Sequence, residues 1–277
     1  MENEPIETVH GLWIGGSLSA LECLTIQSYL QHGFRFILWV YDANNLNVPE
    51  NVVVKHAHEI IASEKVFQYK TQNVHGHGKG SYAGFSDIFR YKLLYEYGGI
   101  WTDMDITCLQ NFHIQSDYFF RYHHKLGAVG NFMKCPRNSA LMLWCYEQAV
   151  EQITADNKNW MLPIVILNEG IEKFNLSAHI HQLSNNDSFP EVMRLLSASI
   201  KIPNQWKLIH WMNEEFRRLE IDKNCVLNHS VLQQLYAQYH IRHTVFTGKD
   251  EWQQKIKLSR WYYLLRNIKS TLAWYVR

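Results

Sequence analysis

Two aspartates one residue apart, Asp103 and Asp105, directly follow the short apolar run at Ile100 and Trp101. In an extended strand, residues i and i+2 point the same way, so both carboxylates can converge on one ion. Hard divalent cations prefer oxygen ligands, and Mg²⁺ in particular usually takes one or two carboxylates together with substrate phosphates. The spacing therefore predicts a divalent-cation site at Asp103 and Asp105.

A polar helix face lies just upstream of the two aspartates. Helical spacing places Ser86, Asp87 and Arg90 on one side of a predicted helix, with the pair Lys92 and Glu96 roughly opposite. One solvated stripe is normal for a surface helix, and Lys92 and Glu96 can supply it. The second polar face then indicates a ligand, although a helix salt bridge between Asp87 and Arg90 would also explain it.

Composition narrows the class of protein. Hydrophobic residues make up 47% of the 277 residues and charged residues 19%, which is typical of a globular chain long enough to bury a large core. A net charge of +1 argues against a nucleic-acid partner. The five cysteines include no Cys-x-x-Cys pair, so we expect reduced thiols in a cytoplasmic compartment. The acidic N-terminal stretch does not read as a signal peptide, and no apolar run is long enough to span a membrane.

The elements that must position these residues alternate along the first half of the chain. Strands are predicted at 6–14, 34–41, 52–55 and around Trp101, and helices at 18–33, 57–69 and around Ser86. This alternation is typical of an α/β domain with a mainly parallel sheet. Further along, the patterns predict strands at 118–122 and 127–132, helices at 139–153 and 227–239, and a loop at 185–190.

Two segments have no clear place in that scheme. HGHGKG (75–80) reads as a mobile surface loop that could still close over a ligand, since it precedes the polar helix. Residues 252–277 contain no Asp or Glu but mix Lys and Arg with Trp and Tyr. That mixture suits a helix on an anionic membrane surface, and it suits equally a helix docked on the domain. We therefore predict a main domain at 1–248 and a basic aromatic helical extension at 249–277.

Two chemistries share the Asp-x-Asp pattern. DMDIT (103–107) also fits the Asp-x-Asp-x-Thr signature of haloacid-dehalogenase-type phosphatases, where the first aspartate is a nucleophile. That chemistry needs a second acidic cluster for Mg²⁺, and the aspartates further along this chain are all isolated. The phosphatase interpretation is therefore the weaker one.

The whole block around the aspartates points elsewhere. SDIFRYKLLYEYGGIWTDMD (86–105) resembles the sugar-nucleotide-binding region of glycosyltransferase family 32, and is similar to the catalytic domain of the large clostridial-type glucosylating toxins. VHGLWIGG (9–16), FILWVYDANN (36–45) and, more loosely, HWMNEEFR (210–217) resemble other segments of these families. The resemblance covers residues 6–112 well and patches after that.

This resemblance implies a GT-A-type fold, Rossmann-like with helical additions, and a nucleotide-sugar donor, with UDP favoured. It implies Mn²⁺ or Mg²⁺ held by Asp103 and Asp105 against the diphosphate. It assigns Asp87 and Arg90 to the donor sugar hydroxyls, and we expect Asp87, Arg90 and Asp105 to be the catalytic group. The other donor-binding positions that it implies are Trp13 and Ile14 by the nucleobase, Ser86, Trp101 and Met104 near the donor, and His210 and Asn213 as a further metal or phosphate contact.

Taken singly, several of these residues also fit structural roles. Trp13 alone reads as a core aromatic, Asp105 as a helix cap and His210 as a structural histidine. Their occurrence together favours a metal-dependent glycosyltransferase, which the resemblance implies is retaining. The basic aromatic tail indicates that its acceptor is a growing glycan, lipid-linked or part of a surface polysaccharide or lipooligosaccharide, at the inner face of a bacterial cytoplasmic membrane. An enzyme that glycosylates a protein, and a sugar-nucleotide-binding module without turnover, are the alternatives.

Overall fold

The structure, a computed structural model, describes residues 6–73 and 76–275, so His75 and Arg277 lie outside the described residues. The strands of this part are β1 Thr8–Trp13, β2 Arg35–Val40, β3 Val53–His56, β4 Gly99–Thr102, β5 Ile106–Cys108, β6 Phe119–His123, β7 Gly127–Cys135, β8 Ile180–His181, β9 Leu208–His210, β10 Cys225–Val226 and β11 Thr244–Val245. The helices are α1 Ala20–Gln31, α2 Ala83–Tyr97, α3 Ala140–Gln152, α4 Leu162–Lys173, α5 Phe189–Ser197, α6 Asn213–Leu219, α7 Val231–Gln238, α8 Gly248–Lys257 and α9 Arg260–Tyr275.

A seven-stranded sheet in the order β3-β2-β1-β4-β7-β6-β8 forms the centre of the described fold. Only β7 runs against the others, so four of the six pairings are parallel. Strand β4 lies beside β1, and the Asp-x-Asp segment follows β4 at the carboxyl end of the parallel strands, where nucleotides bind in open α/β sheets. The prediction of an α/β fold with a mainly parallel sheet and helical additions is confirmed.

Helices cover both faces of the sheet. One face packs on α2, α3 and α4 through a core that includes Trp39, Phe89 and Leu141. The other face packs on α1 through a core that includes Tyr29 and Phe36. A third cluster joins α1 to α5, α6 and α7, so α1 belongs to both the sheet and the C-terminal half.

The predicted helix at 57–69 is wrong. Short 3-10 turns occupy Ala57–Glu59 and Ser63–Lys65 instead. The backbone of Tyr69 explains part of the difference, because its N–H donates to Ser81 and its carbonyl accepts from Gly80. Backbone groups already paired with a neighbouring loop cannot also form a helical ladder.

Helix α5 (Phe189–Ser197) begins inside the segment predicted as a loop at 185–190. Its apolar side is buried, including Phe189, Val192 and Leu195. Pro190 stands in the first turn, where a missing N–H costs nothing, so the proline that suggested a loop in fact begins a helix.

No helix in the described ranges is long and apolar enough to cross a membrane.

Helix α2 is followed by Gly98, whose backbone conformation and close packing favour glycine. Gly98 has φ +67, and a Cβ there would lie 2.5 Å from the backbone nitrogen of Arg137. We expect Gly98→Ala to lower the free energy of unfolding by about 1–3 kcal/mol or more, measured by urea denaturation. Gly16→Ala is the control, since a Cβ at Gly16 meets nothing within 4 Å, and it should change stability by less than about 0.5 kcal/mol. Equal effects of the two substitutions would contradict the prediction.

Candidate active site

The Asp-x-Asp turn is fixed by contacts to neighbouring elements. The N–H of Asp103 donates to the carbonyl of Asn131 on β7 at 2.8 Å. The carbonyl of Met104 accepts from the hydroxyl of Thr25 on α1 at 3.0 Å. Two elements on opposite sides of the turn therefore set its position before any ligand binds.

Arg90 joins α2 to this turn. Its guanidinium lies 3.1 Å from Asp87 Oδ1 and 3.0 Å from Asp103 Oδ1. The guanidinium also lies over the ring of Trp101, at 5.2 Å from the centroid. A Cβ at Gly130 would come within 2.9 Å of Nη1, so glycine on β7 leaves the space that the arginine occupies. The structure thus places the polar face of α2 and the first aspartate in one site.

His210 holds the second aspartate. Its Nε2 lies 3.4 Å from Asp105 Oδ2 and its Nδ1 lies 2.6 Å from Asp187 Oδ1. The side chain of Asn185 accepts from the His210 N–H at 2.8 Å and donates to the His210 carbonyl at 3.0 Å. Both ring nitrogens face carboxylates, so the structure replaces the predicted metal or phosphate contact of His210 with a positioning role.

Arg121 is the buried cation that pairs with Asp187. It is 1% exposed and makes a two-pronged ion pair with Asp187, one contact being 2.8 Å between Nη1 and Oδ2. Its Nε donates to the Ser184 hydroxyl at 2.7 Å. Asp187 and Asn185 are functional residues that the sequence reading missed, because both stand in a polar segment predicted only as a loop.

The carboxyl groups nearest Arg90 have raised pKa values. Burial raises the pKa of Asp87 to about 7, with Asp103 adding to the effect and Arg90 opposing it. Burial also raises the pKa of Asp103, against the charge of Arg90 and with that of Asp105. These carboxyl groups therefore take up a proton more readily than an exposed aspartate, and Asp87 changes its protonation state near neutral pH.

The other half of the site is shifted in the opposite direction. Burial alone would lower the pKa of His210, but Asp187 and Asp105 raise it to about 10, so the ring is an imidazolium at neutral pH. Burial would raise the pKa of Asp105, yet His210 and the Asn213 N–H hold it below its usual range. Asp105 therefore stays ionised.

A divalent cation fits the oxygens that remain. Asp103 Oδ1 lies 3.0 Å from the Arg90 guanidinium and accepts from the Trp101 indole N–H at 2.8 Å. Asp105 Oδ2 lies 3.4 Å from His210 Nε2 and accepts from the Asn213 N–H at 2.7 Å. Within the described ranges, no side chain or backbone group donates to the second oxygen of either aspartate.

These two oxygens match the donor set that Mg²⁺ uses, one or two carboxylates completed by phosphates and water. The Asp103 side chain is 31% exposed, so a ligand can reach it. Across the part of the chain that the structure describes, no group of three or more His, Cys, Asp and Glu could hold a metal ion. A metal here would therefore take the rest of its ligands from substrate and water.

Two predicted donor contacts need correction. Trp101 is 1% exposed, and its side chain supports Arg90 and Asp103 from within the core instead of reaching a ligand. Met104 is 8% exposed, and its sulfur packs beside Gly11 of β1. Both side chains belong to core clusters, and Trp101 also holds Asp103 through its indole N–H.

The remaining predicted residues lie at or just after the end of β1, on α2 and at the start of α6. Trp13 ends β1 half-buried, with its indole N–H donating to the Gly16 carbonyl at 2.7 Å. Ile14 packs against the α2 side of the core. Ser86 accepts from Arg90 at 3.4 Å, and Asn213 begins α6 with its side chain half-buried. Their predicted contacts with a nucleotide remain predictions.

The described part of the glycine-rich loop packs on α6. His77 Nε2 lies 3.0 Å from Glu215 Oε1, and the Gly78 N–H donates to Glu214 at 2.9 Å. The loop that the sequence predicts to be a mobile surface segment therefore contacts the helix that begins at Asn213.

Comparison with known proteins agrees with this geometry. Residues 27–121 match the family model described as a glycosyltransferase sugar-binding region containing a DXD motif. The match includes the 86–105 block, and it confirms the prediction of a glycosyltransferase. No curated protein matches the chain.

Two solved structures are similar at low identity. One is PaToxG glycosyltransferase, with 14% identity and a TM-score of 0.43 over 96% of this chain and 87% of that chain. The other is a transferase carrying two cysteine-to-serine substitutions, with 12% identity and a TM-score of 0.40 over 61% of this chain and 86% of that chain.

The ion pair beneath His210 can be tested by its effect on stability. Asp187→Asn leaves the buried guanidinium of Arg121 without its counter-charge, so we expect the free energy of unfolding to fall by about 3–5 kcal/mol. Asp156→Asn is the matched control, because Asp156 pairs with Lys70 in a bridge whose side chains are 66% and 70% exposed. The control should cost less than about 0.5 kcal/mol. Urea denaturation measures both, and a similar small loss in the two variants would contradict the assignment.

Proposed function

We propose that this chain, whose residues 27–121 match a glycosyltransferase sugar-binding region, is a metal-dependent retaining enzyme with a nucleotide-sugar donor, UDP being the favoured nucleotide. One observation carries the proposal. Asp103 and Asp105 each have one oxygen engaged by the protein and one oxygen with no donor among the described residues, in the same site as Asp87 and Arg90.

Asp103 and Asp105 would hold Mn²⁺ or Mg²⁺, which supplies positive charge where the departing nucleoside diphosphate becomes negative. The residues of α2 handle the sugar. Asp87 is fixed by Arg90 at 3.1 Å, and with a pKa near 7 its carboxyl group can either accept or donate a hydrogen bond to a sugar hydroxyl. Ser86, one position earlier, extends the same polar surface.

The nucleotide would lie along the carboxyl ends of β1 and β4. Trp13 offers a flat apolar face for the base at the end of β1. Asn213 stands beside Asp105 and within reach of a diphosphate that the metal holds. Parallel strands of an open α/β sheet commonly bind nucleotides at this edge.

We propose retention of configuration from the resemblance to glycosyltransferase family 32, and the pairing of the carboxylates bears on how it is achieved. Asp87 and Asp103 pair with Arg90, while Asp105 and Asp187 pair with His210. A double displacement requires a carboxylate nucleophile, and these four already have cationic partners. We therefore propose transfer on one face of the sugar, with a donor phosphate oxygen taking the proton of the acceptor hydroxyl.

For the acceptor we propose a lipid-linked glycan at the cytoplasmic surface of a bacterial membrane. The support is α9, which packs on α6 with one side and exposes apolar side chains on the other. Its inner side contacts α6, where Tyr263 donates to Glu215 at 3.4 Å and Arg266 donates to the Arg218 carbonyl at 2.8 Å. Its outer side exposes four apolar residues at helical spacing, namely Trp261, Leu264, Leu265 and Ile268.

That outer side suits an anionic surface. Residues 252–275 contain no Asp or Glu, and α9 carries the exposed Arg260 and Lys269, whereas Arg266 lies on its inner side. Amphipathic helices with an apolar stripe and basic flanks bind in the plane of anionic membranes. The two interpretations of the C-terminal segment from sequence, docking and membrane binding, are thus compatible on opposite sides of one helix.

The metal site is tested by Asp103→Asn and Asp105→Asn. Each substitution removes half of the protein's contribution to the cation, so we expect transfer to fall more than about 100-fold and Mn²⁺-dependent UDP-sugar binding to become undetectable by calorimetry. Asp117→Asn, at an exposed carboxylate outside the site, is the control and should behave as the wild-type chain does. Persistent metal-dependent binding in both variants would show that the site lies elsewhere.

The membrane proposal is tested on the outer side of α9. We expect the combined change Trp261→Ser, Leu265→Ser and Ile268→Ser to weaken co-sedimentation with phosphatidylglycerol-containing vesicles at least about tenfold, because the apolar contact is lost. UDP-sugar binding should be unchanged. Val150→Ser with Val165→Ser removes exposed apolar residues from α3 and α4 and should have no effect on sedimentation. Equal sedimentation of the wild-type chain and the α9 variant would refute the proposal.

A further inference from the structure

A lysine from the C-terminal half lies beside Trp13, the residue proposed to contact the nucleobase. Lys223 stands between α6 and β10, and its Nζ lies 5.6 Å from the centroid of the Trp13 ring. The ammonium pairs with Glu22 of α1, and the two side chains are 21% and 1% exposed. The Lys223 ammonium is therefore paired with Glu22 and still partly exposed to solvent.

The backbone around Lys223 is anchored, so its position is built into the fold. The hydroxyl of Tyr236, a fully buried residue, donates to the Lys223 carbonyl at 2.7 Å. The side chain of Asn224 accepts from the Ala20 N–H at the start of α1 at 2.9 Å. The segment is thereby tied to both α7 and α1.

Lys223 also lies towards the Asp-x-Asp turn. Its partner Glu22 is three residues before Thr25 on α1, so the two side chains share a face of that helix. The Thr25 hydroxyl donates to the Met104 carbonyl at 3.0 Å. Helix α1 therefore brings Lys223 near both Trp13 and the Asp-x-Asp turn.

The ammonium has donors to spare. A lysine carries three N–H donors, and within the described ranges Glu22 is the one hydrogen-bond acceptor of Nζ. Glu22 already serves α1 as its capping residue, accepting from the Ser19 N–H at 2.8 Å. The helix cap thus accounts for the buried glutamate, but it does not require a cation beside Trp13.

The structure of a nucleotide determines which of its groups would lie between Trp13 and the Asp-x-Asp turn. If the base contacts Trp13 and the metal holds the diphosphate at Asp105, the ribose and the first phosphate must lie between them. A lysine ammonium binds phosphate as a point charge. We propose that Lys223 donates a hydrogen bond to the α-phosphate of the bound nucleotide sugar, an inference that rests on the proposed function.

The test separates the phosphate from the base. Binding of UDP and of uridine is measured by competition against a fluorescent UDP analogue with Mn²⁺ present, using GDP and guanosine if the wild-type chain prefers them. We expect Lys223→Met to weaken the diphosphate at least about tenfold, as expected for a lost charged hydrogen bond. The nucleoside should bind within about twofold of its wild-type affinity.

Two variants guard against a purely structural effect. Lys223→Arg keeps the charge and should retain most of the UDP affinity. Glu22→Gln removes the ion pair but keeps the ammonium, and it should leave UDP affinity within about threefold. A loss in Lys223→Met that Lys223→Arg rescues and Glu22→Gln does not reproduce supports the proposal.

The other outcomes overturn it. Unchanged UDP affinity in Lys223→Met, or equal losses for UDP and uridine, would overturn this inference alone, since wild-type binding would still support the proposed function. A wild-type chain that binds no nucleoside diphosphate with Mn²⁺ would overturn both.

Discussion

Charge balance at the Asp-x-Asp turn is the constraint on which the site depends. Two carboxylates one residue apart in a largely buried turn repel each other, and burial penalises both. The structure answers with one cation for each: Arg90 lies 3.0 Å from Asp103, and His210 lies 3.4 Å from Asp105. Each cation engages one oxygen of its aspartate and leaves the other for a ligand. The two cations therefore stabilise the turn while one oxygen of each aspartate stays available.

The second cation carries the constraint into the rest of the chain. His210 is an imidazolium because Asp187 faces its other nitrogen, and Asp187 in turn needs the buried guanidinium of Arg121. Unpaired buried charges are costly, so each member requires the next. Arg121 belongs to β6, Asp187 to the loop before α5 and His210 to β9. Asp103 and Asp105 stand in the first half of the chain, and the later elements complete their surroundings.

This division explains what the sequence could predict. Asp87, Arg90 and the two aspartates act on one another over short stretches of helix and strand, where the spacing of residues dictates direction. Most elements up to the helix at 140–152 were predicted for the same reason. Asp187 has no such pattern: it is a single aspartate in a polar segment, and its role arises only because that segment meets His210 in the folded chain.

The same distinction accounts for the errors. The resemblance suggested donor contacts for Trp101 and Met104, but their side chains are 1% and 8% exposed and belong to the core. The predicted helix at 57–69 has apolar residues in plausible positions. Its later backbone hydrogen-bonds instead with residues 80 and 81, a partner that local pattern does not reveal.

Helix α6 connects the parts that the sequence left separate. It has seven residues, too few to be stable alone, so neighbouring contacts must hold it. Its first N–H donates to Asp105, Glu215 contacts both His77 and Tyr263, and Arg218 lies 5.3 Å from the Tyr263 ring centroid. The Asp-x-Asp turn, the glycine-rich loop and α9 thus all contact the same short helix. If α9 lies on a membrane as proposed, the donor site is held at a fixed height above the lipid, which suits an acceptor that is itself anchored there.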